Sequence, residues 1–192
     1  MNPPMPPAAQ DILDFWFGAG DRPRAEWFRK DPAFDAAVRE RFGPLIEQAL
    51  QRGIDDWAHS PQPALARIVV LDQFTRNVFR DTPAAFAGDA LALAAAQELV
   101  AGGQDRRLAP LQRWFVYLPF EHAEDRAAQQ ESMRLFGLLA AEHPERADAL
   151  EWARRHQVVI ERFGRFPHRN AILGRASSAE EAAFLRQPGS SF

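Results

Sequence analysis

Ala64-Leu65-Ala66-Arg67-Ile68-Val69-Val70-Leu71-Asp72-Gln73-Phe74-Thr75-Arg76-Asn77-Val78-Phe79-Arg80 is the stretch on which the fold assignment turns. At about 100° per residue, Ile68, Leu71, Phe74, Val78 and Phe79 fall on one arc. Asp72, Gln73, Arg76, Asn77 and Arg80 fall on the opposing one. A half-buried strand would alternate with a period of two, and this run does not. The spacing predicts an amphipathic helix over 64–79.

Working outward, the same reading predicts helices near 9–17, 24–30, 33–50, 83–101, 108–117, 121–142, 145–163 and 178–186. Pro32, Pro63, Pro83, Pro110 and Pro144 stand near the starts of apolar-periodic stretches, where a first-turn proline is tolerated. Gly53, Gly102-Gly103 and Gly164 stand where helices would end. Ser177-x-x-Glu180 and Ser178-x-x-Glu181 both fit a capping box for the last helix. The 34 Ala against 16 Val, Ile and Thr together reverse the preference of strands. The expectation is an all-α fold with one domain over 9–187. A disordered tail over 1–8 and a flexible tail over 188–192 flank it. Successive antiparallel helices would suit a degenerate helical-repeat superhelix, although no clean repeat is visible.

Composition narrows the function. The 192 residues carry 23 Lys and Arg against 26 Asp and Glu, a net charge of -3, which argues against nucleic acid and anionic membranes as partners. The run Ala90–Ala96 is far too short to span a bilayer, and residues 1–7 lack the pattern of a secretory signal, so a cytoplasmic location is expected. Absence of cysteine removes disulfides, thiolate nucleophiles and iron–sulfur ligation. No nucleophile elbow, phosphate loop or paired-histidine zinc motif occurs, and no cofactor or metal is expected.

Three polar constellations remain. The first is the Asp72, Gln73, Arg76, Asn77, Arg80 arc, readable as a recognition block or as a solvated face with an i,i+4 ion pair. In the second, Phe120-Glu121-His122-Ala123-Glu124-Asp125, the residues His122, Asp125 and Gln129 share a helical stripe with Met133 and Phe136. Polar groups on a core-facing stripe need partners, from a structural network or from a ligand. His156 sits similarly, in line with Trp152, Val159 and Phe163. The third, Arg162 to Arg175, holds four arginines and His168 without an acid, as a shaped loop after a helix end. Those arginines would either cap helix carbonyls or form an anion site.

Leu71–Arg80, Tyr117–Asp125 and Phe163–Asn170 together resemble the bacterial domain-of-unknown-function family 924, over about Ile12 to Leu185. The resemblance implies a helical superhelix similar to tetratricopeptide-like domains, in a cytoplasmic protein, and no established activity. Ala123 stands where that family commonly has Ser, which counts against a hydroxyl nucleophile beside His122, and Ser178 stands where it commonly has Thr.

The leading expectation is an anionic small molecule or acidic peptide end held in a concave pocket. Arg76, His122, His168, Arg169 and Arg175 would line it, with Asp72 and Asp125 orienting them. An alternative is a hydrolase-type enzyme using His122 as general acid/base, polarised by Asp125 or Asp72. A third is a structural or protein-interaction scaffold. The oligomeric state stays open.

Overall fold

Proline and side-chain caps set the helix starts in the computed structural model, which describes residues 4–191. Helix α1 runs Pro7–Phe17, and α2 runs Pro32–Leu50 from Asp31, whose carboxylate accepts from the N–H groups of Ala33 and Phe34. Then come α3 (Pro61–Ile68), a π-helical turn (Val69–Phe74) and α4 (Thr75–Val78) in one rod. Helix α5 spans Asp89–Ala101, α6 Pro110–His122, α7 Arg126–Glu142 and α8 Ala147–Phe163. Helix α9 (Ala179–Leu185) opens on the Ser178/Glu181 capping box. Short 3₁₀ turns fill several connections, and no strand occurs among the described residues.

The all-α expectation holds, with one main hydrophobic core contributed by α1 through α8. Its centre is aromatic: Trp16 packs edge-on against Phe74 and Phe115, and Phe42 stacks on Phe74 at 4.9 Å. The rod α3–α4 is almost wholly buried, between α1 and α2 on one side and α5 and α6 on the other. Helices α7 and α8 form the most extensive helix pair, joined by only a few residues. Val159, Ile160 and Phe166 make a small second cluster where the loop after α8 folds back.

Several boundaries move. The helix expected over 121–142 starts only at Arg126, while α6 runs on through Pro119 to His122, past the end expected at 117. The stretch 83–101 is two pieces, a 3₁₀ turn over Pro83–Phe86 and then α5. By length and composition it is the one stretch among the described residues apolar enough to cross a membrane, yet Asp89 inside it is held in ion pairs. At the ends, α1 begins at Pro7, inside the expected tail, and Ser190 is buried with its hydroxyl on the Leu185 carbonyl. Residues 1–3 and 192 of those tails lie outside the described residues.

Candidate functional site

The π-helical turn shifts the register of the α3–α4 rod at Asp72. Such turns leave i→i+4 hydrogen bonding for one wider loop, and Thr75 covers the local defect by donating its hydroxyl to the Leu71 carbonyl at 2.8 Å. Gly88 packs on the same turn. A Cβ there would stand 2.1 Å from the Leu71 carbonyl oxygen, so only glycine lets α5 start this close. Asp89, the first residue of α5, is thereby set opposite Arg76.

Asp72 is 1% exposed, so the polar arc is not a solvated face. Its Oδ1 lies 2.8 Å from His122 Nδ1 and 3.1 Å from Arg76 Nη1, while Gln73 donates to Oδ2. Arg76 also makes a bidentate pair with Asp89 at 2.8 and 3.1 Å. The rest of the arc turns away, since Asn77 and Arg80 both bond Asp35 of α2.

His122 is the last residue of α6, not part of a stripe on the next helix. Asp125 lies beyond the break, where its carboxylate caps α7 by accepting from the Ala128 N–H at 2.8 Å. The carboxylate on His122 is therefore Asp72. Gln129 closes the break by donating its amide to the carbonyls of Phe120, Glu121 and Ala123. These were the free carbonyls that a helix end leaves behind.

The loop after α8 completes the cluster. Gly164 takes the left-handed conformation at φ 70°, and the chain turns back over α6. Arg169 donates to the His122 carbonyl at 3.0 Å and meets Asp89 at 3.3 Å, with its guanidinium between the Phe86 and Phe166 rings. Arg175 holds Glu124 in a bidentate pair at 2.6 and 2.9 Å, and Glu124 accepts from the Phe166 N–H. The His168 ring lies 5.7 Å from that of Phe166.

The three sequence motifs thus meet around His122, bringing Asp72, Arg76, His122, His168, Arg169 and Arg175 into one neighbourhood. Sequence reasoning missed the acids that face those arginines, Asp89 and Glu124, and the buried Glu121. Glu121 and Glu124 lay inside a quoted motif, and the excess of arginine in the third motif was itself a sign that acids must come from elsewhere. Two clefts of about 260 and 300 Å³ are not lined by these charged side chains: one, beside α7 and α8, reaches Gln129, and the other lies beside α1 and α2.

Electrostatics distinguish the members. Burial alone would raise the Asp72 pKa, but Arg76 and His122 outweigh it and hold the carboxylate well below the usual range. With Asp72 ionised, His122 carries its proton on Nδ1. Burial lowers the His122 pKa despite Asp72, so the ring is neutral at pH 7. Its Nε2 bonds nothing among the described residues, and the side chain keeps 15% of its surface exposed. Burial and, more weakly, His122 push His156 down to about 3; burial and Arg169 push His168 down to about 4. Burial and Arg76 bring Arg169 down to about 10. The His156 ring is 6.1 Å from that of His122, and its Nδ1 meets the Trp152 carbonyl at 2.9 Å and Glu121 Oε1 at 3.1 Å. Among the described residues no group of three His, Asp or Glu side chains stands in an arrangement that would hold a metal ion.

A polarised imidazole with one nitrogen tied to a buried carboxylate and the other open can take a proton from a bound molecule. The comparisons name no reaction for it. A solved structure of a protein of unknown function from Agrobacterium tumefaciens is similar at 42% identity and a TM-score of 0.83, over 93% of this chain and 96% of that one. No curated protein matches. The family described as "Bacterial protein of unknown function (DUF924)" matches residues 12–189, a span that contains every group around His122, and the chain belongs to that family.

Proposed function

We propose that the His122 site is the general-base centre of a hydrolase acting on a small carboxylic or phosphoric ester. The observation that carries the reading is the Asp72–His122 pair, with its 2.8 Å bond on Nδ1 and an open Nε2. The neutral ring can accept a proton from an attacking water, and Asp72 stabilises the imidazolium that forms. Arg169 and Arg76 would stand beside the negative charge that develops on the substrate. A cytoplasmic location belongs to the same proposal, supported by the cysteine-free sequence. So does the tetratricopeptide-like superhelix, supported by the way α5, α6, α7 and α8 each pack on the next.

Simple anion binding by Arg76, His168, Arg169 and Arg175 is the second reading. One observation favours it: the buried Nε of Arg169 has no hydrogen-bond partner among the described residues. Against it, Arg76 and Arg169 share Asp89, and Arg175 is matched by Glu124. Guanidiniums paired in this way attract a free anion less than they favour charge developing on a substrate already held beside them.

The test is hydrolysis of a panel of p-nitrophenyl carboxylic and phosphate esters by the wild type and His122→Gln. Turnover that falls about a hundredfold or more in the variant, at an unchanged melting temperature, supports the base role. Turnover that survives the substitution, or no turnover at all, overturns it. Inorganic phosphate raising the melting temperature of the wild type but not of Arg169→Ala would favour the second reading instead.

A further inference from the structure

Helices in this molecule end in two ways. After α1, α5, α7 and α8 the next residue turns its backbone N–H onto the last turn: Gly18 to Asp14, Gly102 to Glu98, His143 to Leu139 and Gly164 to Ile160. No backbone N–H among the described residues does this for α6. Ala123 follows His122 in an extended conformation, at φ -73° and ψ 133°, so the chain leaves the helix without folding back on it. The last carbonyls of α6 then need donors from elsewhere.

Side chains from two other elements supply them. Gln129, 1% exposed on α7, donates its amide to the carbonyls of Phe120 at 3.3 Å, Glu121 at 2.7 Å and Ala123 at 2.9 Å. Arg169, from the loop after α8, donates to the carbonyl between them, that of His122, at 3.0 Å. The amide of Gln129 cannot be turned over, because its oxygen would then face three carbonyl oxygens. That oxygen goes without a hydrogen-bond partner among the described residues. An unused buried acceptor is destabilising, so it is the NH2 end that accounts for an amide at this place in the core.

We propose that Gln129 is a positioning residue for the His122 base: its NH2 group fixes the end of α6 and so keeps the imidazole on Asp72 with Nε2 open. The inference rests on the hydrolase reading and adds to it the part that holds the base. With the carbonyls on both sides of His122 clamped, the last turn cannot rotate and carry Nδ1 away from its 2.8 Å bond to Asp72. A displacement of about 1 Å is enough to cost a reacting group most of its effect.

The clamp also acts through charge. A helix C-terminus bears partial negative charge, which favours a protonated histidine beside it. Here the Gln129 NH2 and the Arg169 guanidinium oppose that charge, in the same direction as the burial that lowers the His122 pKa. Asp72 and Arg76 face the ring from the α3–α4 rod, and Asp89 from α5. His156 faces it from α8, His168 and Arg169 from the loop, and Glu121 precedes it on α6. Replacing Gln129 alters none of these groups, so a change in the titration of His122 reports the clamp.

Gln129→Met keeps the length and burial of the side chain and removes both donors. NMR titration of the His122 ring in the folded variant should place its midpoint at higher pH than in the wild type. In the ester assay kcat should fall about tenfold with KM little changed, and the acidic limb of the pH profile should move to higher pH with the ring. A variant that melts lower but keeps the wild-type midpoint and kcat overturns the inference, because the amide would then only join helices. That result beside a dead His122→Gln leaves the base reading standing, whereas no turnover in the wild type removes both. Hydrogen exchange of the Gln129 side-chain NH2 in the wild type needs no variant. It should be far slower than for an exposed glutamine, and exchange at the exposed rate overturns the inference even where Gln129→Met does not fold.

Discussion

Helix α6 carries a buried polar network at each end, and the two differ in what they leave over. Near its start, Arg113 donates to the Tyr117 hydroxyl at 3.1 Å, Tyr117 donates to Asp105, and Arg113 reaches Glu142 at 2.7 Å. Burial pushes the Tyr117 hydroxyl far up, and Arg113 is charged at any ordinary pH, so nothing there changes protonation near neutrality. The one unused group is Arg113 Nη2, a donor that cannot give up its proton. At the other end the unused groups among the described residues include two on titratable side chains, His122 Nε2 and Glu121 Oε2, beside Arg169 Nε and Gln129 Oε1. Both networks hold helices together. Only the second keeps titratable capacity that no part of the described protein uses.

Removing one acid from each network is the sharpest way to break this contrast. Asp72→Asn leaves Arg76 with Asp89 alone and takes the charge from beside His122, so urea unfolding should show a loss of about 3 kcal/mol. Diethyl pyrocarbonate should then acylate His122 more slowly than in the wild type. Asp105→Asn should cost about 2 kcal/mol, the price of an imperfectly satisfied Tyr117 hydroxyl, and leave the His122 acylation rate unchanged. Equal effects of the two on His122 would erase the distinction.

Gly88→Ala comes next. Its Cβ would collide with the backbone of the π-helical turn, so α5 must shift, with a loss of about 2 kcal/mol and slower His122 acylation. A variant as stable and as reactive as the wild type would show that the close approach does not position Asp72 and Asp89.

The smallest effects concern pH. Folded His156 and His168 resist protonation until about 3 and about 4, whereas the unfolded chain takes up those protons below about 6.5. The folded form is therefore disfavoured progressively as pH falls from about 6.5 to those values. His156→Gln should flatten that slope in melting curves between pH 6 and 4. Glu121 works in the opposite sense, because the folded protein keeps a proton that the unfolded chain releases above about 4.5. Relative to the wild type, Glu121→Gln should therefore gain stability as pH rises from 5 to 8. Arg113→Lys, which keeps the charge of the other network, should leave both pH slopes as they are.

Much of this architecture is written locally. The apolar positions of 64–79 specify a buried helix because i, i+3 and i+4 neighbours share a face whatever lies opposite. Asp31 and Ser178 can cap, and Pro32 and Pro110 can open helices, through contacts within a turn of themselves. The three motifs, too, are legible, since each concentrates polar groups where a core-facing or broken helix must satisfy them.

What the sequence could not assign is which carboxylate serves which base. Asp125, three residues from His122, is the local choice, yet it caps α7, while Asp72 arrives from 50 residues away. Asp89 pairs with Arg169 across 80 residues and Glu124 with Arg175 across 51. Helical periodicity acts within a few residues, so it specifies the elements and their faces. Burial, tautomer and protonation at His122 and Glu121 depend on groups that only packing brings within 3 Å, and the tertiary structure alone decided them.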